Sequence, residues 1–443
     1  MIRYHARYVL PVSAPPITNG TVAVDAGRLA YVGPRGHGPR GSDVDLGDAV
    51  LLPGLVNVHC HLELTAMRGF LEALDFRSWI LRLTSSKRAV LSRDMLLDSA
   101  RYGIVEGLRS GITTYADTCD SGVAFDAMRE CGVRGIMYQE VFGPDPVQCA
   151  GSLAELREKI NRLGPLQTDT VRIGVSPHAP YTVSDALFSA VGRFAKEESL
   201  RMAIHIAESQ LEEDLVVRGA GQFADGLRQR GIAVAPRGRS PIALLHSLDL
   251  LSARPLLIHC VRTDDSDLAL IAQSHSAIAH CPVSNAKLGH GVASLTSFLH
   301  ANIRVGLGSD SVASNNRMDL LEEMRAAVLL QRASLRAFDV LSQETALHLA
   351  TLGGARALGL DREIGSLDVG KSADLSAFPL DGVGPVHDPV ATTVFALPGT
   401  RASFVAVRGR ELVRDGALVA QDPLLEGRVQ AVADSLQRWL RGN

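Results

Sequence analysis

At 443 residues with 46% hydrophobic side chains, the chain is long enough for one large domain and a small one around a sizeable core. Its 45 Lys and Arg against 48 Asp and Glu leave a formal net charge of −3, which argues against a general nucleic-acid or membrane-surface binder and for small-molecule chemistry. Six cysteines, at 60, 119, 131, 149, 260 and 281, form no C-x-x-C pair, and no run of about 18 apolar residues occurs. With Met1-Ile2-Arg3-Tyr4-His5 not reading as a leader, a soluble cytoplasmic protein is expected.

Residues 1–56 alternate short β-rich pieces, such as Gly20-Thr21-Val22-Ala23-Val24, with Gly and Pro turns, which predicts part of a small antiparallel β-sandwich. From residue 57 to about 360 the rhythm changes to apolar strands separated by amphipathic helical stretches. The strands are expected at 55–60, 111–117, 134–142, 171–177, 201–207, 255–260, 276–281 and 304–309, with helices such as 94–110, 185–198 and 317–333 between them. Eight alternating units predict an α/β fold, a (β/α)8 TIM barrel. Residues 361–443 return to the β-rich pattern and end in a helix, so the two flanks are expected to pair as one discontinuous small domain.

Active sites of such barrels lie at the carboxyl ends of the strands, and the polar residues expected there form a pattern. The run Pro53-Gly54-Leu55-Val56-Asn57-Val58-His59-Cys60-His61 ends in two histidines that leave the same face of an extended strand, with Cys60 facing away. That is a bidentate imidazole clamp for a metal ion. Further strand ends bring Ser176-Pro177-His178, His205-Ile206-Ala207-Glu208, Ile258-His259-Cys260, His280-Cys281-Pro282-Val283-Ser284-Asn285 and Gly308-Ser309-Asp310. A lone histidine on an apolar strand is more often a hydrogen-bonded core residue, but five strand ends with histidine beside an Asp and a Glu favour a metal centre.

These motifs together resemble the amidohydrolase superfamily, in its branch of mononuclear metal-dependent deaminases, and the resemblance covers nearly the whole chain. It implies that His59, His61, His205 and Asp310 hold one divalent ion, zinc by family expectation with iron or manganese also compatible with such ligands. It further implies proton handling by Glu208 and His259, with Asp310 also taking a proton from water. An ion so held lowers the pKa of a water in its open position from about 15.7 towards 7. The end of strand four reads Val175-Ser176-Pro177-His178, without the lysine of binuclear members, and the H-x-E and P-C-x-x-C signature of zinc cytidine deaminases is missing.

The segment Ser176-Pro177-His178-Ala179-Pro180-Tyr181 resembles one that helps hold the purine ring in adenosine-type deaminases, making His178 the expected purine contact. Trp79, in the segment 76–88 after the first strand, either stacks on the substrate, as a second expected substrate contact, or packs the loop. Methylthioadenosine/S-adenosylhomocysteine deaminases carry a ribose-gripping Pro-x-Glu after that tryptophan, whereas this chain has Ser85-Ser86-Lys87-Arg88. The departure makes the chain look more like aminodeoxyfutalosine deaminases of menaquinone biosynthesis, hydrolases of carbon–nitrogen bonds in cyclic amidines. Arg82, Lys87 or Arg88 is then expected to meet the aryl carboxylate of that substrate. Methylthioadenosine, S-adenosylhomocysteine, guanine and chlorotriazine hydrolysis are the alternatives. A small-molecule purine nucleoside is the expected partner, with no nucleic acid and no membrane, and a homodimer is one expectation for its assembly.

Overall fold

A computed structural model describes residues 1–442. Its centre is an eight-stranded parallel sheet of strands β1 (Leu55–Cys60), β2 (Ile112–Cys119), β3 (Arg134–Val141), β4 (Val171–Pro177), β5 (Arg201–Ile206), β6 (Leu256–His259), β7 (Ala277–His280) and β8 (Arg304–Leu307), paired in chain order. The sheet closes into a (β/α)8 barrel by a parallel bridge from Cys60 to Asp310, with the Asp310 amide donating to the His59 carbonyl at 2.9 Å. Closure also depends on Gly308, where a Cβ would sit 2.9 Å from the His59 Cβ and 3.0 Å from its backbone nitrogen. Asn57 fastens the same seam: its amide donates to the Ser309 hydroxyl at 2.8 Å and its carbonyl accepts from the Ser309 amide at 3.0 Å.

The helices between strands follow the apolar spacing of three and four. Arg93–Arg109 buries Leu96, Ala100, Ile104 and Leu108 and starts at Ser92, whose hydroxyl accepts from the Met95 amide. The helix expected at 317–333 starts instead at Leu320, because the Asp319 carboxylate accepts from the Leu321 and Glu322 amides and caps it there. Strands β5, β6 and β8 also stop short of their expected ends. At the mouth Ala207 (φ 53°), His259 (76°), Cys260 (48°) and Asp310 (57°) take left-handed backbone conformations that leave the extended region. Such conformations in non-glycine residues cost of order 1–3 kcal/mol and gather at functional sites.

Both chain ends meet in a second, nine-stranded sheet. Leu375–Pro379 pairs antiparallel with Ala49–Pro53, putting Phe404–Val407, Arg410–Arg414 and Ala417–Leu418 on one side and Ile2–Val9, Ile17–Asp25 and Arg28–Pro34 on the other, with Ser42–Asp45 beside Ile2–Val9. One residue, Gly54, separates the last N-terminal strand of this sheet from β1. Buried Arg134 on β3 ties the two sheets, its Nε donating to the Asp374 carboxylate at 2.8 Å. The last helix, Leu425–Gly442, packs Leu425, Val429, Val432 and Leu436 over Leu64, Met67 and Phe70 beside the barrel mouth. Among the described residues no helix is long and apolar enough to cross a membrane.

Candidate metal centre and substrate cavity

His59 is next to last in β1 and His61 follows the strand, their rings 4.9 Å apart and edge-on, while the Cys60 thiol turns away towards the Ala116 carbonyl. His205, on β5, brings its ring 4.9 Å from His59 and nearly parallel to His61 at 5.4 Å. One nitrogen from each of these three rings lies within 4.8 Å of the others, and ligand atoms of His59, His259 and Asp310 form a second such group. The Asp310 Oδ1 is 3.1 Å from His59 Nε2 and 3.6 Å from His61 Nε2, and its Oδ2 accepts from the hydroxyls of Ser284 at 2.5 Å and Ser314 at 3.1 Å. All four expected ligands therefore converge.

The protonation states suit a divalent cation. Burial drives His59 below its ordinary pKa, His61 down to about 3 and His205 well below 6.5, so the imidazoles are neutral with free lone pairs. Burial pushes Asp310 up, but the His59 hydrogen bond and the surrounding imidazoles outweigh it and hold this carboxyl well below the usual range. His59 Nδ1 and His205 Nδ1 are buried without a hydrogen-bond partner. Three neutral imidazoles and one ionised carboxylate form the donor set expected for zinc, iron or manganese.

Glu208 stands two residues past the end of β5, at a turn held by Glu212, whose two carboxylate oxygens accept from the amides of Ala207 at 2.8 Å and Glu208 at 2.9 Å. Its Oε1 lies 3.6 Å from His259 Nε2 and 3.4 Å from His290 Nε2, and its Oε2 accepts from the Tyr181 hydroxyl at 3.5 Å. Burial raises the Glu208 carboxyl, yet the facing His259 and His290 outweigh it, and its pKa lies below 4.5. Asn285 orients His259 through a 3.0 Å contact between its Oδ1 and the ring Nδ1.

His61, His205, Glu208, His259 and Asp310 line a cavity of about 530 Å³. His178 lines it too, its ring 4.6 Å from His205 and its Nδ1 2.8 Å from the Thr182 hydroxyl, with its pKa pushed down by burial to about 4. One wall is the helix Phe76–Val90, whose residues 76, 79, 80, 83, 84, 87 and 88 face the cavity in a helical stripe. Trp79 belongs to this stripe, stacked at 6.3 Å on Phe76, with a buried Nε1 that has no partner.

Of the three cations expected to meet a substrate carboxylate, Arg82 lies off the stripe and outside the cavity lining. Lys87 lines the cavity, but its ammonium is bound between the carboxylates of Glu63 and Asp120, which keep it protonated against burial. Arg88 lines the cavity and makes no ion pair among the described residues.

Sequence reading missed Glu63, Asp120, Glu140, Glu212 and His290. Asn285 and Ser284 were in plain view after His280, but their partners only emerge from the fold. His280 itself is not among the cavity-lining residues; both ring nitrogens are buried without a partner, and burial, then His259, pushes its pKa down to about 3. The unfolded chain therefore takes up a proton near pH 6.5 that the folded chain refuses until about pH 3, so stability falls as pH drops through this window. Replacing His280 by Leu is expected to remove about 2 kcal/mol of the stability lost between pH 6.5 and 5 in urea unfolding. An unchanged acid limb contradicts this.

A family model described as "Amidohydrolase family" matches residues 50–412. A 5-methylthioadenosine/S-adenosylhomocysteine deaminase from Moorella thermoacetica is 32% identical over 425 residues, covering 94% of each chain. The crystal structure of an adenosine deaminase from Xanthomonas campestris with bound zinc aligns with a TM-score of 0.87 at 27% identity, over 99% of this chain and 98% of that one. An aminofutalosine deaminase from Helicobacter pylori, solved with methylthio-coformycin, has a TM-score of 0.81 at 20% identity over 93% of this chain and 100% of its own, a likeness of fold. With the family's model spanning the barrel from the strand before β1 to the strands beyond β8, this chain belongs to the amidohydrolase family.

Proposed function

We propose that the chain is a one-metal hydrolytic deaminase of adenine nucleosides, with 6-amino-6-deoxyfutalosine as substrate and futalosine plus ammonia as products. The observation that carries the reading is that the His59, His61, His205 and Asp310 cluster opens, through His61, His205 and Asp310, on a cavity also lined by Glu208 and His259. The names of the Moorella and Xanthomonas relatives support an adenine nucleoside. Zinc, bound in the Xanthomonas enzyme, is the proposed metal.

His59, His61 and His205 would hold the ion through ring nitrogens and Asp310 through its carboxylate. A bound divalent ion supplies a nucleophilic water at neutral pH. Asp310, kept ionised and fixed by Ser284 and Ser314, accepts the proton that this water gives up. A purine entering the cavity strips water from Glu208 and raises its proton affinity, so that the carboxyl carries a proton to the ring nitrogen beside the attacked carbon. His259, held by Asn285, orients the attacking oxygen and assists proton movement. His178 and Trp79 contact the purine; the proton taken up by Asp310 passes to the amino group, the proton of the new hydroxyl returns to Glu208, and the C–N bond breaks with departure of ammonia.

Two features support a 5′ extension ending in an aryl carboxylate. Phe142, 40% exposed and 5.1 Å from the His178 ring, offers an apolar face for an aryl group. Arg88 is the cavity cation left without a carboxylate partner among the described residues. Arg88→Ala is expected to lower kcat/KM on aminodeoxyfutalosine roughly tenfold to a hundredfold, with much less effect on adenosine. Equal losses on both remove Arg88 from the distal contact. Steady-state ammonia release from aminodeoxyfutalosine, adenosine, S-adenosylhomocysteine and guanine tests the substrate. Far better turnover of S-adenosylhomocysteine or guanine replaces the substrate and leaves the metal chemistry standing.

A further inference from the structure

Glu140, next to last in β3, lines the cavity, and nothing in the reaction outlined above uses it. Its neighbour Gln139 points the other way, donating to the carbonyls of Cys119 at 3.1 Å and Asp120 at 2.9 Å. The Glu140 side chain is 7% exposed, and its Oε1 is buried with no hydrogen-bond partner. An unsatisfied buried acceptor costs free energy, so a native site that keeps one is open to a donor from a ligand.

No side chain around it donates to that oxygen. One carboxylate oxygen of Glu140 lies within 4.8 Å of ring nitrogens of His178 and His205. His178 Nδ1 is engaged with Thr182, and His205 belongs to the metal cluster. The ammonium of Lys87 is taken by Glu63 and Asp120. Around the barrel, β3 stands three strands from both β6, which carries His259, and β8, which leads to Asp310. In a nucleoside whose amino-bearing carbon meets Glu208 and Asp310 the sugar lies at the far side of the purine, and Glu140, Phe142 and His178 line the cavity on the β3–β4 side; the neutral donors of that sugar are its hydroxyls.

We propose that the Glu140 carboxyl accepts the 2′- and 3′-hydroxyls of the substrate's ribose and makes this cavity selective for ribonucleosides. The proposal rests on the adenine-nucleoside reading. Its test compares kcat/KM for adenosine and 2′,3′-dideoxyadenosine in the metal-loaded wild type, Glu140→Gln and Glu140→Ala. The wild type is expected to favour adenosine tenfold to a hundredfold, the Gln variant to keep part of that preference, and the Ala variant to bring the ratio close to one. Where adenosine is too slow to measure, inhibition by the two nucleosides against aminodeoxyfutalosine carries the same comparison. A wild type that treats both sugars alike overturns the proposal without any variant having to fold. An Ala variant that loses the same factor on both also overturns it, because the residue then acts on the fold or on His205. In either case ammonia release by the wild type shows that the deaminase reading survives, whereas no ammonia from any adenine nucleoside overturns both.

Discussion

Glu208→Gln is expected to retain one metal per chain and to lose roughly 100-fold or more in kcat, the scale of a positioned acid or base. The substitution keeps the shape and one carbonyl oxygen, so the contact with the Tyr181 hydroxyl can survive, but an amide cannot take up and release the proton. Glu208 is buried against His259 and His290 rather than in an apolar packing layer. Its turn is fixed from the backbone by Glu212, which the substitution leaves in place. Metal content and initial rates of ammonia release measured on the same preparation check the prediction. A loss of less than about threefold removes Glu208 from proton transfer.

The other large effect is expected from His205→Ala. This change takes away the ring that lies beside His59 and His61 and leaves two imidazoles and Asp310. Losing a donor outright is expected to weaken metal binding by at least the roughly 100-fold reached when only a ligand's outer partner is removed. The protein should still fold, since β5 keeps its pairing with β4 and β6 and the small side chain fits the strand. Metal per chain after dialysis, with far-ultraviolet circular dichroism as the fold control, gives the answer. Full metal and full activity exclude His205 from the site.

Residues whose partners lie on their own strand end were legible before the structure. His59 and His61 are two apart on a strand, and Glu208 follows His205 by three, so spacing alone carried them to the mouth. The barrel was legible for the same reason, because apolar runs and helical stripes alternate without long interruptions. Exact strand ends were not, since Ala207, Cys260 and Asp310 adopt positive φ although no glycine marks them. The cation near the substrate also depended on helix phase: Arg82 and Arg88 are six residues apart, on different faces of Phe76–Val90, and only the docked helix decides which faces inward. Lys87 was misleading for another reason, as Glu63 comes from the short 3-10 helix Leu62–Met67 after β1 and Asp120 from the loop after β2, and no pattern in the chain announces their meeting. His290, flanked by Gly289 and Gly291 in a loop, carried no signal at all; its contact with Glu208 is purely tertiary.

This cavity is expected to remove the amino group of an adenine nucleoside with one metal ion. Purified enzyme containing one zinc per chain, incubated with aminodeoxyfutalosine and with adenosine, is to be followed for ammonia and for the corresponding 6-oxo product. Equal amounts of ammonia and 6-oxo nucleoside are expected, abolished by removal of the metal and restored by adding it back. Zinc-loaded, folded enzyme that releases no ammonia from any adenine nucleoside contradicts this.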